Sequence, residues 1–182
     1  MLNKTFPDRF FAILNIMKRI VVIGKSGAGK STFSDKLAAI LKCDATHLDD
    51  LFWKSGWERV YTANEWMEKM ETLVAEDAWI LDGNYHNTLP IRLSRADTVV
   101  FFDINPVRSL IQALKRKYFD KPEGSIDIHQ LAGTGKMVRK IFTFPTKLVY
   151  GQIKDAGVKD VHIVKNRRDA DRLLDKIMNC SL

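Results

Sequence analysis

Arg19-Ile20-Val21-Val22-Ile23-Gly24-Lys25-Ser26-Gly27-Ala28-Gly29-Lys30-Ser31 is the stretch on which the reading of this 182-residue chain turns. Residues 20–23 are apolar, β-branched and bounded by glycine, which predicts a short buried strand. Residues 24–31 then spell G-x-x-x-x-G-K-S, and Phe33, Leu37, Ile40 and Leu41 recur at helical spacing beyond them. A strand running through a glycine loop into a helix is the context in which this motif holds phosphate.

The chemistry follows from the residue types. With Gly24, Gly27 and Gly29 bare of side chains, the N–H groups of the loop, through Ser26 and Ala28 to the helix start near Lys30, can converge on an anion. Lys30 is expected to reach the β- and γ-phosphates of ATP, and the Ser31 hydroxyl to ligate Mg²⁺. Thr32 falls near the α-phosphate by the same geometry.

The bulk numbers suit one globular domain. Hydrophobic residues make up 46% and charged residues 28% of the chain, ordinary for a packed domain of this length. Cys43 and Cys180 have no metal or redox spacing, so a reducing cytoplasm is the expected setting. No apolar run approaches the roughly 18 residues of a membrane span. The formal charge is +7, and residues 108–147 carry nine Lys/Arg against three Asp/Glu. Such a basic stretch fits substrate phosphates, with a DNA backbone as the alternative partner.

Residues 1–16 read as an extension or packing helix, without the cleavage site of a signal peptide, and Met17 is an expected alternative start. The domain proper is then 17–182. A second strand is expected within residues 44–50, ending in Asp49 and Asp50, followed by a loop over 51–57. Thr62-Ala63-Asn64-Glu65 fits a capping box, opening a helix with Trp66, Met67, Met70, Leu73 and Val74 inward. Strands follow at 79–81 and 98–104, the second continuous enough to be covered on both faces. Pro106 suits the first turn of a helix whose inner stripe is Val107, Leu110, Ile111, Leu114 and Tyr118. Periodicity fades over 119–144, as in a lid. A helix at 146–155, a strand at 161–164 and a helix marked by Ala170, Leu173, Leu174 and Ile177 complete a parallel, doubly wound α/β sheet.

Asp82 ends the third strand, where an acidic residue can serve Mg²⁺ beside Ser31, or else cap the next turn. Asp49 could hold an acceptor or act as a base; an ordinary turn aspartate is the bland alternative. Arg92 is expected on an acceptor anion, and Arg95 on the acceptor or in an ion pair with Asp97. Trp53 and Trp57 could stack on a base or simply pack. Arg116, Lys117, Lys121, Lys136, Arg139 and Lys140 populate the lid, and at least one of them is expected to face transferring phosphate. Gly133-Thr134-Gly135-Lys136 lacks the first glycine of a phosphate loop, the four histidines lack metal-ligand spacing, and Asn166-Arg167-Arg168-Asp169 only resembles a guanine-reading N-K-x-D.

Residues 18–180 resemble the adenylate-kinase-like P-loop NTPases. Within those, HLDDLFWKSGW, WILDGNY and RLSRADTVVFFD look like the bacterial "DNA topology modulation" (FlaR-related) proteins. The resemblance implies a five-stranded parallel sheet sandwiched by helices, an acceptor-binding segment at about 49–77 and a lid at about 119–145. It places donor ATP on residues 24–31, an acceptor phosphate on Arg92, and Arg167 in the loop against the adenine. It also departs from the monophosphate kinases. Gln112 or Ala113 stands in place of the first lid arginine, Arg116 or Lys117 in place of the second, and Asn84-Tyr85 follows the Asp82-Gly83 turn. The expected activity is Mg²⁺-dependent transfer of the ATP γ-phosphate to a small acceptor, by a monomer or homodimer. A nucleotide-dependent regulator of DNA, or an ATPase, is the alternative.

Overall fold

The structure is a computed structural model that describes residues 17–54, 58–118 and 128–181. The extension at 1–16, Trp57 and the lid residues 119–127, with Lys121, lie outside the described residues. Five strands form one parallel sheet: β1 (Arg19–Gly24), β2 (Ala45–His47), β3 (Trp79–Asp82), β4 (Thr98–Phe102) and β5 (Asp160–Val164), in the order β2-β3-β1-β4-β5. The helices are α1 (Lys30–Leu41), α2 (Leu48–Phe52), α3 (Ala63–Val74), α4 (Leu89–Arg95), α5 (Pro106–Tyr118), α6 (Ile128–Phe142), α7 (Thr146–Ala156) and α8 (Arg167–Ser181).

The continuous apolarity of β1 has a direct cause. Ile20 and Val22 pack into a layer with Phe33, Leu37, Leu173 and Leu174 from α1 and α8. Val21 and Ile23 pack on the other face with Trp66, Met70, Leu93 and Val149 from α3, α4 and α7. All four strand residues are fully buried, each contributing about 2 kcal/mol relative to exposure. Only a central strand with both faces covered uses such a sequence.

Register sets the working edge. Val22 lies beside Asp82 of β3, and His47 of β2 beside Asp82 on its other side. Gly24 lies beside Phe102, so the glycine loop leaves the middle of the sheet between two acid-bearing strand ends, Asp82 and Asp103.

Several local expectations needed correction. The strand expected within 44–50 is only Ala45–His47, because Leu48, Asp49 and Asp50 open α2, whose first turn favours carboxylates. Leu51 and Phe52 are therefore helical. Residues 128–142 of the expected lid form α6, with Gly133 and Gly135 inside it. Met67 is exposed on α3, while Trp66, Met70 and Val74 are buried and the Thr62–Glu65 capping box is formed.

Helix α5 turns inward a face other than its expected apolar stripe. Val107 and Ile111 are exposed, and the buried residues are Ser109 and Ala113. The helix lies so close to the glycine loop that a Cβ on Gly27 would run into the Ser109 carbonyl and approach Ala113 Cβ at 2.8 Å. Backbone contact at that range needs small side chains on the facing helix, which hydrophobicity alone does not flag.

Candidate active site

The sequence-expected residues meet at the C-terminal edge of the sheet. Gly27 (φ 77°) and Gly29 (φ 90°) take left-handed angles, and Gly29 stands at the N-cap of α1. The loop N–H groups and the positive end of α1 thus face one space. Lys30 is half-buried, and its ammonium donates to the Lys25 carbonyl at 3.2 Å. Burial lowers its pKa, Asp82 and Asp49 oppose the shift, and Arg116 is near enough to add to it. Lys30, Asp49, Asp82 and Arg116 therefore share one electrostatic neighbourhood.

Ser31 Oγ donates to Asp82 Oδ2 at 2.7 Å. Asp82 is 4% exposed, and its other oxygen, Oδ1, is buried without a hydrogen-bond partner among the described residues. A hydroxyl beside an under-used carboxylate is a hard oxygen donor set, and it fits Mg²⁺ completed by nucleotide oxygens. No group of three or more His, Cys, Asp or Glu side chains among the described residues is arranged to hold a metal by itself.

His47, passed over for want of metal-ligand spacing, bridges two carboxylates. Its Nδ1 lies 3.1 Å from Asp82 Oδ2 and its Nε2 2.8 Å from Asp35 Oδ1. Burial pulls its pKa down, but the hydrogen bonds to Asp35 and Asp82 outweigh that and the net shift is upward. The strand register that places His47 beside Asp82 is the signal sequence reading lacked.

Asp49 is exposed at the start of α2 and accepts from the Tyr85 hydroxyl at 2.8 Å. Tyr85 in turn accepts a hydrogen bond from Trp53. Burial, reinforced by Asp49, pushes Tyr85 far up, so its phenol stays protonated and donates. Phe52 packs on Trp53 and Tyr85 with centroids 4.9 and 5.0 Å apart, and Trp66 lies 5.0 Å from Tyr85. An aromatic wall thus stands beside the Asp49 carboxylate.

Arg92 is found under the Asp82-Gly83-Asn84-Tyr85 turn, fully buried. It donates to the carbonyls of Gly83 at 2.8 Å, Tyr85 at 3.1 Å and Asn84 at 3.5 Å. Burial, opposed by Asp82 and Tyr85, brings its pKa down to about 10, so it remains a cation at neutral pH. The Asn84 side chain then accepts from the Gly24 N–H at 3.1 Å and ties this turn to the glycine loop. Arg95 does not pair with Asp97. The Asp97 carboxylate instead accepts from the backbone N–H groups of Lys18 and Arg19 and lies 3.6 Å from the Arg19 guanidinium.

Lys25 is buried, although it stands within the glycine loop. It donates to Asp103 at 3.0 Å and Thr146 at 3.5 Å and lies over the Phe144 ring. A cavity of about 420 Å³ opens on the other side of the loop, lined by Gly27, Thr32, Arg108, Gln112, Asn166 and Arg167 among others. That volume suits a nucleoside. Asn166 and Asp169 exchange hydrogen bonds across the first turn of α8, the Asn166 amide to the carboxylate at 2.9 Å and the Asp169 N–H to Asn166 Oδ1 at 3.1 Å. They form a helix cap and leave Arg167 exposed at the cavity, with its guanidinium 3.8 Å from Asp171.

No protein-family profile matches the chain, and neither does any curated protein. Among solved structures, the chain is similar to a shikimate kinase from Acinetobacter baumannii in complex with shikimate, with 20% identity, coverage of 92% of this chain and 94% of that one, and a TM-score of 0.54. It is also similar to a gluconokinase from Sinorhizobium meliloti 1021, with 13% identity, coverage of 91% and 92%, and a TM-score of 0.51. At these identities the likeness is one of fold. The chain has the α/β fold of a P-loop kinase, a five-stranded parallel sheet between two layers of helices.

Proposed function

We propose that the protein is an ATP-dependent phosphotransferase that moves the γ-phosphate of ATP to a hydroxyl of a small acceptor. The observation that carries this is the meeting of two half-sites at one sheet edge. The glycine loop, Lys30 and the Ser31–Asp82 pair face one substrate, and the Asp49 carboxylate, oriented by Tyr85, faces another. A bare ATPase has no need of the second half.

In this reading the loop N–H groups of residues 24–31 bind the phosphates, and Thr32 lies near the α-phosphate. The cavity between Gly27, Gln112 and Arg167 takes the adenosine. Ser31 and Asp82 would hold Mg²⁺, which when bound supplies positive charge against the phosphate oxygens. Lys30 exchanges its loop-carbonyl bond for phosphate oxygen, and the anion offsets the desolvation cost of its burial. Arg116 faces the same space and neutralises charge developing on the transferred group. Asp49 accepts the acceptor hydroxyl's proton, its carboxylate held in place by Tyr85.

Arg92 acts through the backbone here, fixing the Gly83–Tyr85 turn, so the acceptor-phosphate role implied for it is replaced by a positioning one. Affiliation with the "DNA topology modulation" proteins rests on the three sequence passages given above, and the segment and lid boundaries rest on the same resemblance. A DNA-associated role rests on that resemblance and on the basic charge of residues 108–147. Among the described residues Arg116 acts electrostatically on Lys30, and Lys117 bonds Thr134 at 2.9 Å. No helix of the described residues is long and apolar enough to cross a membrane.

The test is ADP release from Mg-ATP across a panel of nucleoside monophosphates, nucleosides and small hydroxyl metabolites. One acceptor is expected to stimulate release by about tenfold or more, and Lys30→Ala to abolish the stimulation. Flat, slow hydrolysis whatever is added would count against the kinase reading.

A further inference from the structure

Ser31, Asp82, His47 and Asp35 form a ring that three side-chain hydrogen bonds make and the backbone of α1 closes. Ser31 and Asp35 stand four residues apart on one face of α1, so the ring leaves that helix and returns to it one turn later. Between them, Ser31 Oγ and His47 Nδ1 both lie on Asp82 Oδ2, at 2.7 and 3.1 Å, and His47 Nε2 lies on Asp35 Oδ1 at 2.8 Å. Asp82 and His47 are neighbours in register on β3 and β2. Three elements are thereby joined by side chains at the point where the glycine loop becomes a helix.

The ring has an asymmetric effect on Asp82. A carboxylate on a strand end can rotate and present either oxygen. Here both partners engage Oδ2, and Oδ1 is left buried without one among the described residues. Rotation of the group would break two hydrogen bonds inside a site where Asp82 is 4% exposed and water is poorly placed to replace them. His47 is in turn held by Asp35, which is exposed and anchors the ring at its solvent end.

We propose that His47 is a positioning residue that fixes the rotation of the Asp82 carboxylate, reserving Oδ1 for the divalent cation that accompanies the nucleotide. The inference rests on the assignment of Ser31 and Asp82 as cation ligands. His47 touches neither nucleotide nor metal in this scheme and acts only through Asp82.

The test reads nucleotide binding, with no acceptor and no turnover. The dissociation constant of a fluorescent N-methylanthraniloyl ATP is measured in excess Mg²⁺ and in EDTA, and the ratio of the two is the Mg²⁺ gain. Wild type shows a gain and Asp82→Asn loses it. His47→Leu is expected to lose about tenfold of the gain, as other partners of metal ligands do, with the EDTA affinity kept within about twofold of wild type.

Two amide variants separate positioning from mere support. The amide nitrogen of Asn takes the place of Nδ1, the atom on Asp82, whereas that of Gln takes the place of Nε2, the atom on Asp35. His47→Asn should therefore keep most of the gain and His47→Gln lose it, even if His47→Leu fails to fold. Equal gains in the two amide variants, or a loss that appears equally in EDTA, would overturn the proposal. Retention of the gain by Asp82→Asn would overturn the metal assignment and the inference with it. A gain lost by Asp82→Asn but kept by His47→Leu would overturn the inference alone.

Discussion

Lys25 Nζ lies 3.0 Å from Asp103 Oδ1, and the lysine side chain is 7% exposed. The first variable residue of the glycine loop is thus an internal strut, joined to the end of β4 and, through Thr146 and Phe144, to the start of α7. Asp103→Leu leaves an ammonium buried without its counter-charge and should cost about 3–5 kcal/mol in urea denaturation. The double variant Lys25→Met, Asp103→Leu removes both charges and should recover most of that loss. A double variant as unstable as the single one would show that the pair is not the unit that matters.

Gly27→Ala introduces a Cβ at φ 77° against the Ser109 carbonyl and Ala113. Strain and displacement of α5 together should cost about 1–3 kcal/mol, read as a fall of about tenfold or more in ATP-analogue affinity. At Gly29 a new Cβ meets nothing within 4 Å, so Gly29→Ala should lose less, from backbone strain alone. Equal losses would place the cause in the loop rather than in its contact with α5.

If Asp49 takes the acceptor proton, Asp49→Asn should lower kcat about 10²- to 10⁴-fold and leave the ATP-analogue Kd unchanged. Tyr85→Phe removes one orienting hydrogen bond and should cost about tenfold in kcat. Weaker nucleotide binding with unchanged turnover in Asp49→Asn would move that carboxylate to the donor side.

Arg92→Met leaves the Gly83 and Tyr85 carbonyls without their buried donor and should destabilise the fold by about 2–4 kcal/mol. Arg92→Lys should rescue little, because one ammonium cannot span carbonyls that the guanidinium fork reaches together. Thermal denaturation of the two variants decides the matter. A variant of full stability with a raised KM for acceptor would restore Arg92 to the substrate.

Burial, aided by Arg92, lowers the pKa of His86 below its ordinary 6.5. Its folded state therefore binds a proton less readily than the unfolded chain. The associated stability is fully present above pH 6.5 and is lost as pH falls through the lowered folded value. His86→Gln should flatten that acid limb in denaturation midpoints taken from pH 7.5 to pH 5. An unchanged limb would assign it to other groups.

The sheet, and the glycine loop with Asp82 at one end of it, were legible because they obey local rules. Residues 20–31 carry strand, loop and helix start in one unbroken stretch, and Asp82 announces itself at a strand end. What escaped depends on contacts between distant segments. The placement of His47 beside Asp82 needs the pairing of β2 with β3. The inward face of α5 is set by backbone approach at Gly27, so Ser109 and Ala113 are buried where Val107 and Ile111 are not. The position of Arg92 depends on a turn whose carbonyls face inward, and an arginine beside a glycine turn reads the same whether it holds substrate or chain.

The two apolar layers on either side of β1 also separate the protein's chemistry. Ala28, Phe33, Phe102, Ile104, Ala170 and Leu174 line the cavity and belong to one layer. Leu48, Phe52, Tyr61, Trp66 and Tyr85, around Asp49, belong to the other. On the function proposed above, a single sheet thickness separates the surroundings of the phosphate donor from those of the acceptor, so substitutions in the second layer could retune what is phosphorylated without touching the donor cavity.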